Sequence, residues 1–328
     1  MKPLARLALL VAVAAASLLL AVRLGAVPLT LRQVVDGVRG AGDPTNVAIV
    51  RRLRLPRAVL AAMVGGSLAA SGATFQALLR NPLAEPYILG ISGGAAVGAV
   101  FAIAVGGAAA SGGIVAAAAL AGALIAIVLV FRIAAVVGRA LDTRILLLAG
   151  VVVGAFFNAC ILLALTFADA DAFRSAIFWI MGSFSGATWR GIALLAAAML
   201  PALAVLMALA RSLNLLSVGE ETAAYLGTRV ERTKLLAYGT ASLLTAGAVA
   251  VSGVIGFVGL VVPHVVRMLW GPDHRFLLPA SVLLGAAFVV LADTLARTAA
   301  APTELPVGVV TAFVGVPFFV WLLRRRAA

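Results

Sequence analysis

The chain alternates long apolar runs with short charged breaks, and the breaks set the expected elements. A helix that spans a bilayer takes about 20 apolar residues. The runs 7–22, 58–79, 145–168, 191–210, 276–292 (extending to about Arg297) and 305–323 each fit one such helix. The uncharged stretches 86–131 and 235–266 are each long enough for two. Gly106-Gly107 through Ser111-Gly112-Gly113 marks a turn in the first of these, while Gly253, Gly256, Gly259 and Pro263 punctuate a short or broken second helix in the other. The pattern predicts an all-α polytopic membrane protein of about ten transmembrane helices, organised as one domain over 1–328. The first run is long for the apolar core of a signal peptide and no polar cleavage region follows it, so an uncleaved first span is expected.

Composition agrees with lipid as the surroundings. Hydrophobic residues make up 64% of the chain and charged residues only 11%, against about a quarter charged in a soluble domain. The net charge of +13 does not point to nucleic acid, because the basic residues sit between apolar runs and not on a soluble module. Cys160, the single cysteine, excludes an internal disulfide, a cysteine metal cluster and a CxxC redox pair.

The basic residues also orient the chain, since cytoplasmic loops are enriched in Lys and Arg. With both termini inside, the inner set comprises Lys2, Arg6, Arg80, Arg132, Arg139, Arg144, Arg211, Arg229, Arg232, Lys234, Arg267, Arg275 and Arg324 to Arg326. The misfit is the segment from Arg23 to Arg57, where Arg51, Arg52, Arg54 and Arg57 crowd the entrance of the second span on the expected outer face. A docking site for an acidic partner would explain it, and so would headgroup contact or tolerance in a translocated loop.

Abundant Gly and Ala let helices pack closely in lipid. Ser71-Gly72, Pro82 and Gly90 recur at the spacing of Ser252-Gly253, Pro263 and Gly271, as an internal duplication or simple glycine abundance would produce.

Candidate chemistry is sparse. Lys2 and Lys234 are the only lysines, and neither closes a phosphate-binding loop, whose glycine amides and lysine must meet the phosphates. The chain is therefore not itself a P-loop ATPase. A carrier coupled to protons or sodium usually has an ionisable group inside the bilayer. Asp293 is the deepest acid here, and Arg297 four residues on offers it a self-neutralising partner on one helix face. His264, beside Pro263, reads as structural, and no HExxH, nucleophile–base pair or carboxylate dyad is present. A stand-alone secondary transporter, a membrane anchor and an intramembrane enzyme are the competing readings, the last opposed by the missing catalytic groups. The polar segment 211–234 holds a short helix-forming stretch bracketed by Gly219 and Gly227. It suits a cytoplasmic handle for a soluble partner, or a helix lying on the membrane surface.

An ordered set of motifs runs along nearly the whole chain. It comprises Arg54-Leu-Pro-Arg57, Ser71-Gly72, Gln76, Asn81-Pro-Leu-Ala-Glu-Pro86, Leu89-Gly-Ile-Ser-Gly-Gly94 and Leu146-Leu-Leu-Ala-Gly150. It continues with Trp179, Met181-Gly182, Gly219-Glu220, Leu226-Gly227, Gly256-Phe-Val-Gly-Leu-Val-Val-Pro-His264, Asp273-His-Arg275, Asp293 and Glu304-Leu-Pro-Val-Gly308. The set resembles the iron-siderophore, haem and cobalamin permease family of ABC importers. The resemblance implies the type II importer permease fold in a bacterial inner membrane. It also implies a pore between two copies of the permease, two ABC ATPase subunits, and a periplasmic or extracellular substrate-binding protein. ATP and Mg would belong to the ATPase, with no cofactor on this chain. The segment holding Gly219, Glu220, Glu221, Ala224, Leu226 and Gly227 would be the helix that couples to the ATPase. Arg54, Arg57 and Arg297 match outer arginines that meet acids of the binding protein. Asn81 with Leu83, and Asp142 with Thr143, match the cytoplasmic gate. Cobalamin is the favoured chelate over haem or a ferric siderophore, on overall similarity.

Overall fold

A computed structural model describes residues 3–25, 27–107, 111–137 and 141–327; Lys2 and Arg139 of the expected inner set lie outside the described residues. The described residues form helices and no strands. The expected spans reappear as α1 (Pro3–Arg23), α4 (Leu55–Leu78), α5 (Ile91–Gly106), α6 (Gly112–Val137), α7 (Thr143–Thr166), α9 (Trp189–Ala208), α12 (Val230–Ser252), α13 (Val258–Trp270), α14 (His274–Thr298) and α15 (Val307–Ala327). Among the described residues, seven helical stretches are long and apolar enough to cross a membrane, and α5, α13 and α15 supply shorter apolar helices. Shorter elements fill the connections: α2 (Leu31–Arg39), α3 (Pro44–Ala48), α8 (Ala170–Ile180), α10 (Ala210–Val218) and α11 (Glu220–Tyr225).

Local chemistry sets many of the boundaries. Asp43, Asp142, Asp169 and Asp273 each accept backbone N–H bonds at the start of α3, α7, α8 and α14. A carboxylate there satisfies donors that have no partner within the helix and meets the positive end of its dipole. That is one reason the acids collect between spans. Just before α4, residues Ile49–Arg54 take a π-helical turn, with Leu55 N–H reaching back to Val50 O. Pro56 has no N–H, and its ring would crowd the carbonyl four residues earlier, so the wider turn relieves the clash.

The middle of the bundle is α4, which is enclosed on nearly every side. Gly65 faces Gly285 of α14, where a Cβ would lie 2.2 Å from a backbone oxygen, and Gly72 faces Gly259 of α13 just as tightly. Small residues let backbones touch where no hydrophobic drive joins helices in lipid. Gln76 secures the crossing, its Nε2 donating to Gly259 O (3.1 Å) and Leu260 O (3.2 Å) and its Oε1 accepting from Arg267 Nη2 (2.9 Å). Between α12 and α13 the backbone breaks at Gly253–Phe257, as the glycines suggested, with Phe257 at φ 68°. Side chains take over its polar groups: Tyr87 Oη donates to Ile255 O (2.9 Å), and Phe257 N–H donates to Glu85 (2.7 Å). Such breaks persist at membrane depth only where protein supplies the missing bonds.

Three expectations change. Helix α6 continues past Arg132 to Val137, because an arginine near a helix end can extend its head group to the boundary. The half-length α8, between the expected runs 145–168 and 191–210, is a helix that the pattern did not predict, capped by Asp169. The Ser-Gly/Pro/Gly spacing falls on unlike positions: Ser71-Gly72 lies inside α4, whereas Ser252-Gly253 ends α12.

Candidate docking faces and gate

Helix α4 separates two charged regions. Arg57 sits at its start and Phe75 near its end, roughly 27 Å apart at 1.5 Å per residue.

At the arginine face, the sequence grouped Arg54, Arg57 and Arg297, and the structure does place them together. It also turns them inward. Arg54 is 7% exposed; its Nη1 donates to Val22 O (3.0 Å) and Arg23 O (2.9 Å), and its Nη2 to Val27 O. Arg297, 9% exposed, donates to Ala21 O. The two guanidiniums thus close the carbonyl end of α1, where cations are favoured by both hydrogen bonding and dipole. Arg57 donates through Nε and Nη2 to Asp293 (Nη2 to Oδ1 2.8 Å) and through Nη1 to Glu304 (2.9 Å). Asp293 is 1% exposed and Glu304 47%. The expected Asp293–Arg297 pair is therefore secondary: the two stand 3.7 Å apart, and the close partner is Arg57 from α4. Arg51 and Arg52 remain at the surface, Arg51 bonded to Val38 O at 2.8 Å.

At the opposite end, α10 and α11 form the handle expected within 211–234. Gly219 joins the two helices, and Gly227, at φ 83°, donates to Ala224 O to close the second. Ala223 faces in, whereas Glu221, Ala224, Tyr225 (91% exposed) and Leu226 (61%) face out. Apolar side chains presented by a tightly turned element beyond the spans are the mark of a contact surface. Two tethers hold the handle. Lys234, buried in α12, donates to Glu220 at 2.9 Å. Asn214 of α10 donates to Asp273 Oδ1 (2.7 Å) and accepts from His274 N (2.8 Å). The Asn214 bond and the Arg275 N–H hold the Asp273 carboxyl below its ordinary range. The sequence missed both tethers; a lone internal lysine in an arginine-rich chain was the available signal for the first.

The residues matched to a gate by resemblance, Asn81, Leu83, Asp142 and Thr143, lie at the same end. Asn81 Oδ1 accepts from Leu83 N (3.0 Å), fixing a tight turn after α4, with Arg80 in the left-handed region at φ 48°. Asp142 caps α7, accepting from Arg144 N at 2.8 Å, and Thr143 opens that helix. Between α5 and α7 runs a groove of 390 Å³, lined by Tyr87, Ser92, Gly154, Asn158 and neighbouring uncharged residues. Such walls give weak contacts, which suits passage and not retention.

Apolar helices of spanning length with a short polar element beyond them define a polytopic membrane protein. Residues 10–325 match the FecCD transport family, and the chain belongs to it. It is 49% identical over 282 residues to the cobalamin import system permease protein BtuC of Halobacterium salinarum, covering 86% of this chain and 75% of that one. It is 41% identical over 283 residues to the vitamin B12 import system permease protein BtuC of Escherichia coli, covering 86% of each. A solved structure described as an inward-facing metal-chelate type ABC transporter superposes with a TM-score of 0.88 at 31% identity, over 97% of this chain and 98% of that one. PsaBC from Streptococcus pneumoniae shares the fold at a TM-score of 0.58 and 17% identity, over 89% of this chain and 94% of that one. The chain is thus an ABC-importer permease subunit: its task is transport, and not catalysis.

Proposed function

We propose that two copies of this chain form the pore of a cobalamin importer, with both termini in the cytoplasm. The relatives named for cobalamin and vitamin B12 import support the substrate, and the outward-facing Tyr225 and Leu226 of α11 carry the proposal of a docked motor. Two ATPase subunits, holding ATP and Mg, engage α11 through a groove that takes these apolar side chains. An extracytoplasmic binding protein lands on the arginine face and supplies affinity and specificity, since a tight site within the pore would trap the ligand. Closure of the ATPases moves the two α11 handles together. That motion rocks the helices beside Asn81, Leu83, Asp142 and Thr143 and changes which side the pore faces. Burial of Arg54 and Arg297 supports a structural role for them in closing α1, and in this reading Arg51, Arg52 and the Arg57–Glu304 pair make first contact with an acidic partner.

Vesicles holding the chain, its ATPase and its binding protein test this directly. Labelled cyanocobalamin should accumulate only with hydrolysable ATP. Uptake without any ATPase would establish a stand-alone carrier instead, and uptake of a ferric siderophore but not cyanocobalamin would replace the substrate.

A further inference from the structure

Helix α12 joins the handle to both gate segments through two side chains one turn apart. Lys234 lies in its second turn, with its ammonium buried against the Glu220 carboxylate of α11 at 2.9 Å. A buried ammonium that loses its only close carboxylate is left uncompensated, so α11 moves with α12 and not past it. Tyr238 is fully buried one turn on. Its ring meets Phe75 of α4 (centroids 6.0 Å, 52°) and Phe131 of α6 (6.3 Å, 77°). Phe75 stands in the last turns of α4, and its carbonyl accepts from Leu79 just before the Asn81 turn. The Tyr238 hydroxyl lies beside Thr143 at the start of α7 without closing a short hydrogen bond there. A buried hydroxyl without a close partner favours any arrangement that gives it one.

We infer that Lys234 and Tyr238 are positioning residues that carry displacement of α11 to both gate segments, Lys234 by locking the handle to α12 and Tyr238 by pressing α12 on Phe75 and reaching Thr143. This rests on the reading of α11 as the element that meets the ATPase. Moving α11 drives the first turns of α12, shifts the Tyr238 ring against α4, and brings its hydroxyl into bonding range of Thr143 in one of the two states.

The test is the amount of cyanocobalamin moved per ATP hydrolysed by the assembled importer in vesicles. Lys234→Met should retain the ATPase as well as the unaltered chain does and lower the ratio by about tenfold, within the range typical of coupling between sites. The exchanged pair E220K/K234E should restore most of that loss. Tyr238→Phe keeps both ring contacts, cannot disturb packing, and should lower the ratio by about fivefold, at the lower edge of the same range. An unchanged ratio in Lys234→Met and Tyr238→Phe overturns the inference, and so does a Lys234→Met loss that the exchanged pair does not restore. An unaltered chain that retains no ATPase sinks the coupling reading of α11 itself, and the inference with it.

Discussion

The two ends of α4 carry opposite kinds of surface. At the arginine face, most of the charge is spent within the molecule: Arg54 and Arg297 hold the carbonyl end of α1, and Arg57 holds Asp293 and Glu304. At the α11 face, one ion pair and one amide fix the handle from behind, and Ala224, Tyr225 and Leu226 turn outward beside Glu221, with Arg211 and Arg229 exposed on the flanks. The first face is built to hold three helices together and the second to present a rigid knob. A cluster of arginines in a sequence therefore does not translate into a cluster of available charges.

That contrast can be broken at several points. Asp293→Ala leaves Arg57 and Arg297 buried without their shared anion and should cost about 3–5 kcal/mol, as for other broken buried pairs; thermal unfolding in detergent reads it, and an unshifted transition would show that the cluster is not structural. Glu221→Arg, which leaves the Glu220–Lys234 pair in place, should cut ATP-driven uptake by about tenfold; full uptake would remove the handle from the mechanism. Glu304→Gln frees one edge of Arg57 and should tighten the binding protein by about two- to fivefold, the scale of a partly exposed ion pair; titration of the reconstituted permease measures it, and weaker binding would mean that Glu304 itself contacts the partner. Arg52→Glu should weaken the same binding by about twofold, less at high salt where exposed charges are screened; loss of binding at every ionic strength would point to a desolvated contact.

Much of the fold was legible because lipid imposes a simple rule: apolar runs of spanning length, ended by charge. The glycine-marked break after α12 followed from the same reading. Helix α8 was not legible, since Asp169, Asp171 and Arg174 look like loop residues until one sees Asp169 bonded to Ala172 N. The positions of Arg54, Arg57 and Arg297 beside one another were expected from the family resemblance, but their direction was not. Arg54 is satisfied by carbonyls about thirty residues earlier in the chain, and backbone acceptors carry no sequence signature. The Glu220–Lys234 tether spans a turn and two helices, so neither periodicity nor spacing pointed to it.

The wide turn at Ile49–Arg54 has a consequence for how the rim can vary. One residue more than an α-helix needs is stored there, and each residue turns a helix by about 100°. Removing it would rotate Arg51, Arg52 and everything before them around the axis of α4 while leaving the glycine crossings at Gly65 and Gly72 in register. The turn is thus a phase joint between a tightly packed interior and a basic rim. A single-residue deletion within it should retain folding and change which binding proteins are accepted; loss of folding would show that rim and interior share one phase.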